Sequence, residues 1–187
     1  MVLAWLSAWT RFRTDLNKNE SNLMKKHILL LVVAVLTVAN SLSACAQGVS
    51  FLAILSGDDE VPANTSRACG IALFHLDDDG STVHFTLIVA NIQNAVAAHI
   101  HTGVIGVNGP VVVPLFSGPT GGGRIQGILA EGTFTASAGL LATMVNGGTY
   151  VNVHTNDGVA PANTGPGDLP GGEIRGQVFA VGEADTE

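Results

Sequence analysis

Apolar and polar residues alternate along most of the chain from Val49 onward. Val83, Phe85, Leu87 and Val89 are interleaved with His84, Thr86 and Ile88, a two-residue period that places one set on each face of a strand. Similar short runs predict strands over Val49–Leu55, Ala68–Leu76, Thr82–Ala90, Val96–His101, Val111–Phe116, Ile125–Phe134, Tyr150–His154 and Ile174–Val181. Turn-forming clusters separate them. Asp77-Asp78-Asp79-Gly80-Ser81 is a hairpin signal, because an Asp-Gly pair tolerates the positive backbone angles of a tight turn. Only Ser137–Asn146 carries helical spacing, and Gly147-Gly148 stops it. The pattern predicts an all-β domain over 49–181. Its expected form is an antiparallel Greek-key β-sandwich or barrel of seven or eight strands with one short helix, preceded by a hydrophobic leader helix.

That leader is Met24-Lys25-Lys26-His27, then the apolar run Ile28–Ala39, then the small residues up to Ala46. A basic head, an apolar centre and a small-residue tail make a secretory signal over 24–46. Residues 1–23 fit no targeting pattern and read as an over-extended start, and residues 182–187 as a solvated acidic tail. Leu42-Ser43-Ala44-Cys45 resembles the lipobox of bacterial lipoproteins, which would make Cys45 a lipidated anchor. Cleavage at Ala44-Cys45-Ala46 to a soluble product and an uncleaved membrane-spanning leader are the alternatives. Each places the domain outside the cytoplasm, as a cell-envelope lipoprotein or a secreted protein. Cys69 is expected to be a small buried strand residue, or to pair with Cys45 if that thiol is free.

Charge narrows the partners. From Cys45 onward three arginines face thirteen acidic residues, a net of −10 with no lysine. Such a surface repels phosphate backbones, so nucleic-acid binding is excluded as an expectation. The expected partner is an extracellular protein or surface component, with membrane contact only through the anchor or leader.

The histidines carry the candidate chemistry. Residues two apart on a strand share a face, so His99 and His101 project together. If Val151 and Val153 face the core, His154 points outward with Tyr150 and Asn152. Should the two strands meet, three imidazoles converge on the outer face as a nitrogen site for copper or zinc. The alternative is structural, with each histidine bonded to loop backbone and no ion held. His75 and His84 flank the hairpin and read as surface pair residues. The acidic run Asp77–Ser81 lacks the further ligand spacing and terminal Glu of a calcium loop and reads as a solvated turn; Gly57–Pro62 could also hold a cation, against the simpler reading as a turn. Gly-x-Ser-x-Gly is absent, and Gly121-Gly122-Gly123-Arg124 lacks the Lys-Ser/Thr ending of a phosphate loop. No catalytic set emerges, and the domain is expected not to be an enzyme.

Four stretches carry a family resemblance: Leu55–Pro62, Ala98–Gly103 with Gly106, Gly109 and Pro110 following, Tyr150–Thr155, and Pro170–Gln177. Together they resemble the CHRD domain, named from chordin, across about Val49 to Phe179. The resemblance implies an extracellular β domain acting as a binding or structural module. His99, His101 and His154, followed by a Gly-rich loop and a last strand, also look like the copper-binding pattern of copper/zinc superoxide dismutases. That likeness implies copper ligands on the outside of a Greek-key barrel. It departs from those enzymes in lacking a recognisable bridging histidine and zinc cluster between His101 and His154. The enzymes' active-site arginine aligns best with Glu173, and the nearby Arg175 is expected to pair with an acidic neighbour.

Overall fold

A computed structural model describes residues 49–181. The readings made for residues 1–23, the leader over 24–46, Cys45 and the tail over 182–187 lie outside the described residues. Among the described residues nine strands and one helix follow in chain order: β1 (Ser50–Ser56), β2 (Cys69–Leu76), β3 (Thr82–Gln93), β4 (Ala95–Thr102), β5 (Val111–Ser117), β6 (Arg124–Thr135), α1 (Ala138–Val145), β7 (Thr149–Thr155), β8 (Ile174–Gln177) and β9 (Phe179–Val181). Every predicted strand is present. The last divides in two at Val178, which is fully buried and whose N–H bonds the Thr149 carbonyl.

All pairings are antiparallel, in the order β5-β4-β7-β8-β1-β2-β3-β6, with β9 beside β1. The strands wrap into a nearly closed eight-strand barrel with β5 and β6 at its seam. β1, β2 and β3 form a meander, and the later β8 returns beside β1, the spatial order of a Greek key. Strand alternation fills the interior. Phe51, Ala53 and Leu55 of β1, Val83, Leu87 and Val89 of β3, Ile100 of β4, and Val151 and Val153 of β7 are all buried in one apolar cluster. Burial of this kind is worth about 25 cal/mol per Å2 of apolar surface and is the main stabilising term of the fold.

The helix forms where its spacing predicts. Ser137 caps it, its hydroxyl accepting from the Leu140 N–H at 3.2 Å, and Met144 plugs the barrel beneath it. Gly147, at φ 65°, ends it in the left-handed conformation that suits glycine. The Asp77–Ser81 turn behaves as a turn. Asp79 accepts from the backbone N–H of Ser81 and Thr82 and from the Thr82 hydroxyl, and these bonds hold its carboxyl down at about 2. His75 and His84 are directly opposite one another across β2 and β3, and His84 meets Asp77 at 3.0 Å.

One expectation fails at the start of β2. Cys69 is exposed, not buried, because the alternation turns Ala68 and Gly70 inward and the thiol outward.

Candidate metal centre

β4 and β7 are neighbours, and their register pairs His99 with Asn152, His101 with Tyr150 and Ala97 with His154. Since Ala98, Ile100, Val151 and Val153 fill the barrel, the intervening side chains stand on its outer face. The three predicted histidines meet there. The ring centroid of His154 is 5.1 Å from that of His99 and 6.0 Å from that of His101, and one ring nitrogen of each lies within 4.8 Å of the other two. A bulge in the β4–β5 pairing between Ala98 and His99, and another between Ile100 and His101, re-aims both β4 rings.

The outer face is not open to water, as the strand pattern alone implies. Loops from three parts of the chain roof it, leaving His101 only 8% exposed and His99 and His154 half-buried. The roof also orients the rings. His101 Nδ1 lies 3.0 Å from the Gly109 carbonyl, and His154 Nδ1 lies 3.0 Å from the Pro170 carbonyl. A carbonyl only accepts, so each Nδ1 carries the proton and each Nε2 keeps its lone pair. The buried ring nitrogens left without a partner are His101 Nε2, His154 Nε2 and His99 Nδ1. Burial pushes the His154 pKa down to about 4, with His99 and His101 adding to the effect and the Pro170 bond opposing it. Burial, and then the neighbouring His101, also lowers that of His99. Both rings are neutral near pH 7, the state in which imidazole binds a metal.

Beside the histidines stands a second row on the same face, of which the sequence showed only part. Arg175, 1% exposed, donates to the carbonyls of Val107 (2.9 Å) and Val104 (3.2 Å) and to Asn108 Oδ1 (3.0 Å). Its expected pairing with an acidic neighbour is therefore wrong: neutral oxygens of the 103–110 loop take its N–H groups. Its guanidinium carbon lies 3.4 Å from the centre of the Tyr150 ring. The other face of Tyr150 stacks on His101, with centroids 4.9 Å apart and planes 11° from parallel. Gly109 closes this unit, donating its N–H to the Tyr150 hydroxyl while its carbonyl holds His101.

Glu60, read in the sequence as part of a turn, is tucked inside. Its Oε2 accepts from Asn152 Nδ2 at 3.4 Å, and desolvation raises its pKa to about 7 against the pull of the Val61 N–H and the Arg175 charge. Gly172 lies so close that a side chain there would meet Glu60 Oε1 at 2.5 Å and Asn152 Oδ1 at 2.6 Å. Glu173 ties the 165–173 loop down, accepting from the Thr155 and Ser66 hydroxyls at 2.6 Å each and the Gly167 N–H at 2.7 Å. A usable signal for this row existed in the sequence. Glu173, Arg175 and Gln177 alternate with Ile174, Gly176 and Val178, which assigns them to the face that Asn152 and His154 share.

The family model of the CHRD domain matches residues 51–178. The chain belongs to the CHRD domain family. No curated protein matches it. The four stretches that resembled the family in sequence are the ones that build this face of the CHRD domain: β4 and β7 give the rings, and Glu60, Gly172 and Arg175 fix the roof above them.

Proposed function

We infer that this CHRD domain is an extracytoplasmic copper-binding module whose ligands are His99 Nδ1, His101 Nε2 and His154 Nε2. One observation carries the reading: each of the three rings has a buried nitrogen without a hydrogen-bond partner, and the rings bring one nitrogen each within 4.8 Å of one another. A buried polar atom without a partner costs about 1–3 kcal/mol, and three together are accounted for by an ion that takes all three lone pairs. The carbonyls of Gly109 and Pro170 do what outer partners of metal-bound imidazoles do, fixing tautomer and ring orientation. Bond lengths of about 2.0–2.1 Å to nitrogen need donors roughly 3–4 Å apart, so a pair at the 4.8 Å limit closes by about 1–2 Å on binding. An uncharged, all-nitrogen set selects copper over zinc by the order of intrinsic affinities. The secretory pattern of residues 24–46 supports placement outside the cytoplasm, and the family resemblance supports a binding rather than an enzymatic role.

The test is copper binding by the purified protein, with zinc as competitor, followed by Cu(II) electron paramagnetic resonance. Stoichiometric copper showing nitrogen hyperfine structure, lost in His99→Ala, His101→Ala and His154→Ala, is the expected result. Failure to retain copper at micromolar supply, or retention unchanged in His154→Ala, sinks the reading.

A further inference from the structure

The half of the barrel away from the cluster of His99, His101 and His154 has an unusual outer face. Ile54 pairs with Ile71, Ile71 with Ile88, and Ile88 with Ile128, so one isoleucine from each of β1, β2, β3 and β6 forms a continuous row across four strands. All four point away from the barrel and are 66%, 43%, 37% and 58% exposed. Leu73 extends the row on β2 and Phe179 on β9, both half exposed. A cavity of about 390 Å3, lined by Leu52, Ile54, Ile105 and Phe179 among others, continues the patch toward the 103–110 loop. An outer strand face would ordinarily carry polar residues alternating with the core set.

We propose that this isoleucine row is the contact face of a two-fold homodimer, each copy packing sheet to sheet on the other. The area fits. The row with Leu73 and Phe179 exposes roughly 550 Å2 of apolar side chain, above the few hundred Å2 a monomer leaves in one patch and close to the apolar share of the about 800 Å2 per partner that a stable interface buries. The shape fits too, since a twisted pleated face of branched side chains packs on its own copy at about 30° between strand directions. A two-fold contact needs a self-complementary surface, and a row of identical residues supplies one. Charge argues against a membrane as occupant. Residues 49–181 carry ten acidic groups against three arginines and contain neither lysine nor tryptophan, so an anionic lipid surface repels them and the interfacial anchors of a membrane-lying face are missing. Repulsion between two acidic copies is screened beyond about 8 Å at physiological salt, and the row itself bears no charge.

The experiment is sedimentation equilibrium on the full chain as recovered from its producing cell, from about 1 to about 100 µM, with flotation on phosphatidylcholine and on phosphatidylglycerol vesicles alongside. Ile71→Glu and Ile88→Glu are the variants, because both side chains lie outside the core, with Ile71→Thr as the milder control. The expected result is a dimer whose dissociation constant rises at least a hundred-fold in either glutamate variant, with the thermal midpoint of the dilute monomer unchanged. A monomer at every concentration, a dimer indifferent to both glutamates, or vesicle binding that the glutamates abolish without any dimer would overturn the proposal.

Discussion

Replacing Glu60 by glutamine removes a proton-binding group from a place where ionisation is opposed. The buried carboxyl titrates at about 7 in the folded domain against an ordinary 4.5. Between those values the unfolded chain has released the proton and the folded one has not, so the stability contributed at low pH is lost as pH rises through 7. A gap of about two and a half pH units at 1.36 kcal/mol each gives an upper figure near 3 kcal/mol, and relaxation around the carboxylate brings the expected effect to about 2 kcal/mol. His154 acts in the opposite sense. Its pKa, lowered to about 4 from 6.5, gives stability that is present above 6.5 and lost as pH falls through 4. Burial lowers His99 in the same direction. The carboxylate slope opposes the histidine slopes between about 4.5 and 6.5, and the metal-free wild-type domain is expected to show a shallower rise of stability with pH there than the Glu60→Gln variant. Glu60→Gln exposes the histidine slope, so that stability climbs with pH, and gains about 2 kcal/mol relative to wild type between pH 4.5 and pH 8. His154→Gln removes the larger histidine slope, and stability falls with pH relative to wild type. Urea unfolding at half-unit pH steps, with a chelator present to keep copper off the imidazoles, measures both. If Glu60→Gln tracks wild type at a constant offset across that range, the carboxyl is not held protonated and the reasoning fails.

Arg175→Met keeps the volume of a long side chain while leaving the Val104, Val107 and Asn108 oxygens without their donor and the Tyr150 ring without its cation. A loss of about 2–4 kcal/mol in unfolding free energy is expected, with faster amide exchange concentrated in residues 103–110. Gly109→Ala places its methyl on the Thr102 carbonyl, so the backbone that presents the Gly109 carbonyl to His101 has to shift. Copper affinity is expected to fall about ten-fold or more with all three ligands intact, read by competition against a chromogenic chelator.

The barrel was legible because its signal is local. Two-residue alternation in Val83–Val89 depends on one buried face of the strand, and β1 and β2 show the same pattern. The convergence of the three histidines was legible for the same reason: H-x-H on one strand, and His154 following the inward Val151 and Val153 on the other, fix the face, and only the adjacency of β4 and β7 had to be supplied by the fold. The roof was not legible. Whether Glu60 lies in water or under a loop depends on the path of residues 57–64 over a sheet formed by residues about ninety positions later, as its bond to Asn152 shows. Arg175 drew an acidic partner by charge alone, yet the fold offers it carbonyls, because the 103–110 loop turns its backbone oxygens inward. Cys69 misled because residue type suggested burial, whereas its position on the strand decided the face.

These observations join in one arrangement. A small barrel packed with aliphatic side chains has no room for a polar site inside, so chemistry that needs shelter has to be built on the outer face and covered. Cover over a sheet brings backbone N–H and carbonyl groups against side chains, and each must find a partner. Here the partners are the residues that mark the family in sequence: Asn152 with Glu60, Arg175 with the carbonyls of 104 and 107, Tyr150 with Gly109, Glu173 with Thr155 and Ser66. Two loop carbonyls are left over for ring N–H groups, those of Gly109 and Pro170, and both go to histidines. The roof thus determines which ring nitrogens remain free. On the copper-binding reading proposed above, this coupling, with loop closure setting the tautomers of His101 and His154, is what would make a covered sheet face a site for an ion.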